Sequence, residues 1–332
     1  MRASQPPLCS RVTAVMWEDA AVTEHRRMLL DTASLYFRAF HGVPDSVKAP
    51  DGTPVNAIRG LLDMIAKLVA EFAPSDLVAC WDDAWRPRWR VELIPSYKAH
   101  RVERETDDGS VETVPDALRA QIPVIRELLE ALGIPVVGAA DHEADDVIGT
   151  LASHARMPVD IVTGDRDLLQ LVDDSRGVRV VYTGRGMSHL EILTEEAVQK
   201  KYGISPRQYV DFAVMRGDPS DGLPGVAGVG EKTAVSLLNE FGGLDAIAAA
   251  AADPETTLSA AVRSKIVAAR DYLAVAPRVV EVVRDLDVGH HDGRITAITE
   301  RQAAALADLS DRWGLGSSLE RARTSLEAAA QG

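Results

Sequence analysis

The chain has 332 residues, enough for one large domain or two small ones at ~100–200 residues each. Apolar residues make up 46% and charged residues 26%, which provides a buried core and argues against disorder. Acids outnumber bases by 50 to 36, a formal charge of −14 that on totals alone argues against a nucleic-acid partner. Two cysteines, Cys9 and Cys80, exclude a disulfide scaffold and a thiolate zinc site. There is no run of ~18 apolar residues to span a membrane. The first 27 residues lack the apolar stretch of a signal peptide, so a cytoplasmic protein with no membrane partner is expected.

Residues 1–27 show no clear periodicity and contain Pro6-Pro7. They are expected to form a mobile extension, with Met28 as an alternative start. Short apolar runs then read as strands at 28–31, 77–81, 135–137, 159–163 and 178–182. Helical patterns at 56–72, 115–132 and 143–154 separate them. Strands joined by helices of this length imply parallel crossovers, hence an α/β domain over 28–190 built on a mostly parallel central sheet flanked by helices. After Thr194 the strand signal stops. Residues 191–290 read as a helical domain, interrupted by a turn-rich stretch at 217–234, and residues 291–332 as a helical tail.

Residues 84–114 fit neither pattern. Trp85, Trp89 and Tyr97 are interleaved with Arg86, Arg88, Arg90, Lys98, Arg101 and Arg104. From 84 to 104 there are six bases against two acids, Glu92 and Glu103. On so acidic a chain this reads either as a solvated, partly helical excursion or as a phosphate-contacting segment with aromatics for stacking on bases.

Carboxylates cluster where the strands end, the edge at which an open parallel sheet places its ligands. Asp31 ends the first strand, Asp82 and Asp83 follow the second, and Asp165 and Asp167 follow a later one. Of the pair after the second strand, Asp82 directly follows the apolar run and is the chosen candidate. Each of these acids taken singly is also an ordinary turn former or helix cap. Glu143-Ala144-Asp145-Asp146 opens a helix, where the dipole favours acids. Glu143 and Asp146 share a face at i and i+3, while Asp145 is turned about 100° away. Asp218 and Asp221 bracket a turn and bring the count to nine acids, with no His or Cys among them. Oxygen-only ligation selects hard ions, Mg²⁺ or Mn²⁺. Convergence of so many negative charges would be prohibitive without such ions.

The stretch from Leu223 to Ala234 nearly fits a P-loop, but Glu231 stands where the phosphate-binding Lys should be and no strand precedes it. It reads better as a hairpin between helices whose small residues allow close backbone approach. Main-chain N–H groups around Gly225, Gly228 and Gly230, with Lys232 and Thr233, would cradle a phosphate and read backbone rather than bases.

In these residues the sequence resembles the 5′-nuclease family, which includes the 5′→3′ exonuclease domain of bacterial DNA polymerase I, the phage enzymes and the flap endonucleases. The match runs from about residue 28 to 290. It rests on Leu30-Asp31-Thr32 with Tyr36-Phe37-Arg38-Ala39-Phe40, on Trp81-Asp82, Trp89-Arg90 and Tyr97-Lys98, and on Glu143-Ala144-Asp145-Asp146-Val147-Ile148-Gly149. It continues through Thr163-Gly164-Asp165-Arg166-Asp167 and Gly217-Asp218-Pro219-Ser220-Asp221 into residues 224–233. The resemblance implies a PIN-like or resolvase-like α/β fold, a helical arch at 84–114 and a helix–three-turn–helix. It implies a two-metal site with Asp31, Asp82, Glu143, Asp145 and Asp146 in one group and Asp165, Asp167, Asp218 and Asp221 in the other. Lys98 and Arg90 would engage the scissile phosphate, Tyr97 would stack near the terminal nucleotide, and Arg86, Arg88 and Arg101 would meet the backbone. The carbonyls of Met215, Arg216, Pro224, Val226 and Val229 would hold K⁺.

The implied activity is hydrolysis of DNA at 5′ ends, flaps, nicks and pseudo-Y junctions, and of RNA-primed ends. It would serve replication and repair beside a DNA polymerase and a ligase. The polymerase-linked members continue into a much larger chain, so a stand-alone enzyme is expected. The competing readings are a catalytically weak, structure-specific DNA-binding module and a metal-dependent ribonuclease.

Overall fold

The structure is a computed structural model, and it describes residues 25–106 and 109–331. The extension expected over 1–27 therefore falls mainly outside the described residues, and Arg27 already belongs to the first strand.

Six strands form the central sheet: β1 (Arg27–Asp31), β2 (Asp76–Cys80), β5 (Val136–Val137), β6 (Val159–Thr163), β7 (Val178–Tyr182) and β8 (Glu191–Leu193). Between β2 and β5 in the chain, β3 (Val102–Thr106) and β4 (Gly109–Glu112) pair with each other in a separate antiparallel hairpin. The sheet order is β5-β2-β1-β6-β7-β8, parallel except for the antiparallel edge strand β8. β1 is flanked on both sides and covered on both faces, which is why its sequence is an unbroken apolar run rather than an alternation. Residues on one face, Leu29, Val78, Ile161 and Val180, pack toward the helical domain. Those on the other, Met28, Leu30, Leu77 and Val162, pack under helices Asn56–Phe72 and Ile122–Ala131.

The chain moves from β1 to β2 on one side and later returns to β6 on the other, so the connections diverge between β1 and β6. Open α/β sheets hold their ligands beside such a switch, outside the carboxyl ends of the strands. Parallel register aligns those ends: Asp31 sits opposite Cys80, and Leu30 opposite Val162. Residues 82 and 165, two past their strands, therefore emerge beside Asp31 at one edge.

Three expectations change. The helical domain expected from residue 191 begins later, because Glu191–Leu193 pairs with β7 as the edge of the sheet. The single helix expected over 115–132 is two, Asp116–Arg119 and Ile122–Ala131. Pro123 has no N–H to continue the helical ladder, and the buried Gln121 side chain at the break accepts the Ala57 N–H (2.9 Å) and donates to Ala117 O (2.9 Å). The helical arch expected at 84–114 is helical only over Arg88–Leu93 and a 3₁₀ turn at Ala99–Arg101. Pro95 follows the helix closely, and the β3–β4 hairpin completes the segment.

The helical domain places the turn-rich stretch between helices Tyr209–Arg216 and Glu231–Phe241, as expected. Gly225 has φ +67°, and a Cβ there would stand 2.6 Å from the Gly217 nitrogen, so the two limbs of the turn touch through their main chains. The tail returns to the α/β domain. Helices Glu300–Trp313 and Gly316–Ala329 bury Leu306, Leu309, Leu319, Ala322 and Leu326 in the same apolar layer as Ile58, Leu62 and Ile65. Among the described residues no single helix is long and apolar enough to cross a membrane.

Candidate active site

At the carboxyl edge of the sheet lies a cavity of about 420 Å³. Asp31, Asp82, Glu143, Asp145, Asp165 and Asp218 line it, and Lys98, Arg101 and Arg166 bring positive charge to the same walls. Six of the nine candidate acids thus meet across 187 positions of sequence, from 31 to 218.

Asp31, Asp82 and Asp218 are each held by their local structure. Asp31 caps helix Thr32–Gly42, accepting the Ser34 N–H (3.2 Å) and the Thr163 hydroxyl (2.6 Å). The Thr163 hydroxyl oxygen in turn accepts the Asp165 N–H (2.8 Å), so β1 and β6 present their acids as one unit. Asp82 accepts the Ala144 N–H (2.7 Å), the first free donor of helix Ala144–His154. Asp83 is exposed and lies against Gly138 instead. Asp218 is fixed by Arg216 (3.0 Å) and by the Ser220 N–H (2.9 Å).

The electrostatic cost of this gathering appears in the proton affinities. Burial, with Asp82 and Asp165 nearby, pushes the Asp31 carboxyl up to about 7, although the Thr163 hydroxyl opposes the shift. Asp82 is raised by burial and by Glu143. Asp145 and Asp167 stand well above the usual carboxylate range through burial and their mutual neighbour Asp165. Asp221 is pushed up to about 6, mainly by burial. Among the described residues no three of these acids close into a ready-made metal cage. They ring the cavity instead.

Three candidate acids do not line it. Asp167 and Asp221 stand behind Asp165 and Arg101, with Asp221 paired to Arg101 at 3.2 Å. Asp146 is fully buried and faces away, its carboxylate gripped by Arg90. The helix geometry explains the split between neighbours: about 100° of turn points Asp145 at the cavity and Asp146 at the protein interior.

The expected phosphate-facing cations also separate. Lys98 lines the cavity, with its ammonium on Glu143 Oε1. Burial pulls that ammonium down, but Glu143 together with Tyr97, Asp221 and Asp145 outweighs burial and holds it well above its ordinary range. Lys98 adopts a left-handed backbone (φ 47°), fixed where its N–H meets Asp221 O at 2.9 Å. Arg101 reaches the rim, donating to Ser220 O (2.6 Å). Arg88 is exposed on the surface. Arg90, expected at the scissile phosphate, is instead 2% exposed and enclosed by carboxylates and carbonyls. Arg86 is likewise spent inside the segment, bonded to Tyr97 O (2.7 Å), Pro95 O (3.1 Å) and Ser110 Oγ (2.8 Å).

Tyr97, expected beside a nucleotide, buries its ring in the core and donates its hydroxyl to Glu143 (2.7 Å). The aromatics that do line the cavity are Phe37, Trp85 and Tyr182. Sequence reasoning also missed Glu112 and Arg166 as wall residues. Arg166 lies inside the motif at 163–167, whereas Glu112 reaches the site only because the hairpin folds back.

In the turn, Met215 O accepts the Val226 N–H (2.9 Å) and Val226 O accepts the Val229 N–H (2.9 Å). Pro224 and Gly225 pack beside Arg216 and Gly217. Gly228, Gly230 and Lys232 are exposed and Thr233 is half-buried at the start of helix Glu231–Phe241, so the N-terminal face of that helix is open to solvent.

Residues 26–203 match the family model of the 5′-3′ exonuclease N-terminal resolvase-like domain, and residues 204–302 that of the 5′-3′ exonuclease C-terminal SAM fold. A 5′-3′ exonuclease of Streptomyces coelicolor is 59% identical over 302 residues, covering 91% of this chain and 100% of the relative. A 5′-3′ exonuclease of Mycobacterium tuberculosis is 47% identical over 314 residues, covering 90% and 97%. The fold is similar to that of the bacteriophage T5 flap endonuclease solved with DNA and metal ions (TM-score 0.59, 15% identity, 93% of this chain and 100% of that one). With these matches spanning both domains, the chain belongs to the 5′-3′ exonuclease family and is a nuclease that hydrolyses phosphodiester bonds.

Proposed function

We propose that the enzyme cuts DNA at 5′ ends that adjoin duplex, namely flaps, nicks, pseudo-Y junctions and RNA-primed ends, working in replication and repair beside a polymerase and a ligase. The observation that carries this reading is the meeting of six acids with Lys98 and Arg101 in one cavity at the sheet's switch point.

The donor set suits hard divalent cations. Every candidate ligand is a carboxylate oxygen, and no His or Cys is among the residues lining the cavity. The raised proton affinities of Asp31, Asp82 and Asp145 mark carboxylates that need a positive partner to ionise together. Asp31, Asp82, Glu143 and Asp145 would hold one Mg²⁺ or Mn²⁺, and Asp165 and Asp218, backed by Asp167 and Asp221, another. Such ions supply an activated water and charge stabilisation at the leaving oxygen.

The chain's own groups do the rest. Lys98 neutralises a phosphoryl oxygen on leaving Glu143. Arg101 and Arg88 meet the incoming strand electrostatically, and Phe37 and Trp85 offer faces on which a splayed base stacks. Gly228, Gly230, Lys232 and Thr233 grip the duplex backbone through main-chain N–H groups and one ammonium. Carbonyls of Met215, Arg216, Pro224, Val226 and Val229 would seat a K⁺ at that turn. The paired main chains of 215–217 and 224–226 support this placement.

The test is a labelled 5′-flap DNA incubated with Mg²⁺ and, in parallel, with a chelator. Cleavage near the junction only in the presence of metal is expected. An uncut flap, or an RNA strand cut in preference to it, overturns the reading.

A further inference from the structure

We propose, building on the nuclease reading above, that Arg90 and Asp146 are positioning residues: a buried strut that sets the Glu143 carboxylate and ties residues 279–283 of the helical domain to the acidic cavity. A guanidinium has five N–H donors, and in Arg90 all are used. Nε donates to Val279 O (2.9 Å), Nη1 to Glu143 Oε2 (2.7 Å) and Asp146 Oδ2 (2.8 Å), and Nη2 to Asp146 Oδ1 (2.7 Å) and Glu281 O (3.5 Å). The Trp89 ring covers the group at 4.4 Å. Asp146 is as fully engaged, since it also accepts the N–H of Glu143 (3.2 Å) and that of Val283 (2.9 Å). Neither side chain has capacity left for a phosphate or a cation.

The strut joins three segments distant in sequence: the basic excursion, the mouth of helix Ala144–His154, and the exit of helix Arg270–Val280. Its product is the posture of Glu143. Arg90 and the Tyr97 hydroxyl hold Oε2, which leaves Oε1 turned to Lys98. Without the fork, Glu143 is held at Oε2 by the Tyr97 hydroxyl alone, and its loosened carboxylate no longer fixes Lys98 over the cavity. The strut acts on the cutting step and leaves the grip on DNA alone, because the hydrogen bonds of Arg90 and Asp146 run to residues 143 and 279–283 and not to the gripping turn.

The experiment compares Arg90→Gln, Asp146→Asn and the double variant, with Arg90→Lys read the same way should Arg90→Gln not fold. The double variant removes both charges together, which a buried pair tolerates better than loss of one partner. Three quantities are measured: single-turnover cleavage of the flap, DNA affinity in chelator across a salt series, and hydrogen exchange at the Val283 amide.

Each single change is expected to slow cleavage by about 10- to 100-fold with DNA affinity within about twofold of wild type, and the double to be no slower than the worse single, the mark of residues acting as one unit. The Val283 amide exchanges faster in all of them. A salt dependence of affinity lowered by about one phosphate contact in the double variant overturns the proposal in favour of a DNA contact by Arg90. Multiplying single effects, or unchanged Val283 exchange, overturn it too. The wild type separates the two readings: if it does not cut, the nuclease reading fails, whereas a cutting wild type with these adverse patterns sinks the strut alone.

Discussion

On the proposed function, side chains carry the chemistry of the acidic cavity, whereas at the turn 217–230 the main chain would carry the grip on DNA. The cavity brings carboxylates from five separate strand and helix ends to one place, against their repulsion, and steadies them with hydrogen bonds from neighbouring main chain and side chains. The turn needs almost no side chains; its geometry depends on positions where a Cβ has no room. The two meet at residues 96–98, where Ser96 Oγ donates to Gly222 O (2.8 Å) and the Lys98 N–H to Asp221 O (2.9 Å). A site made of side chains fails when one functional group is exchanged at constant shape. A site made of backbone fails when shape is added at constant charge.

The sharpest way to break that contrast is Asp165→Asn, a change of charge with almost none of volume. We expect cleavage to fall below detection while the thermal midpoint holds or rises, measured by flap cleavage and calorimetry; a variant that still cuts removes Asp165 from the chemistry. Lys98→Ala comes next. Single-turnover cleavage should slow by about 10²–10³-fold, the scale for losing one preorganised charge-stabilising donor, with duplex affinity little changed in a binding titration. The turn gives the opposite pattern. Gly225→Ala adds one methyl where φ is +67° and the Gly217 nitrogen stands 2.6 Å away. It should cost about 1–3 kcal/mol of stability and weaken DNA binding, with the cutting rate at saturating DNA nearly intact.

The smallest effect concerns pH. The folded protein holds a proton on Asp31 up to about 7, whereas an unfolded chain releases it near 3.8. Over that window the folded state binds more protons, so stability falls as pH rises from about 4 to 7 and levels off above. Asp221, raised to about 6, works in the same direction. Mg²⁺ should therefore raise the thermal midpoint more at pH 8 than at pH 5. An equal rise at both values would mean that these carboxyls do not bind the ion.

What could be read from the chain alone followed the same division. β1, β2 and β6 were legible because each is a buried apolar run ending near an acid, and parallel register then forces those ends together. The fate of Asp146 was not legible. It differs from Asp145 by one position, about 100° of helical turn, and the Arg90 that grips it lies 56 residues away, with further partners 53, 189 and 191 residues from it. The β3–β4 hairpin was missed for a related reason: its strands carry charged residues, Glu103-Arg104-Glu105, on an excursion with no apolar alternation. Tyr97 carried an aromatic's promise of base stacking, yet only the packed structure reveals which rings are in the core and which, like Phe37 and Trp85, remain at the cavity wall.

The returning C-terminal helices have a practical consequence. The family models end at residue 302, yet Leu315, Leu319, Ala322 and Leu326 lie beyond that point and cover the apolar flank of helix Asn56–Phe72. A chain trimmed to the matched boundary would expose that flank to water as a sticky stripe. Aggregation on expression, rather than any defect in cutting, would be its first symptom.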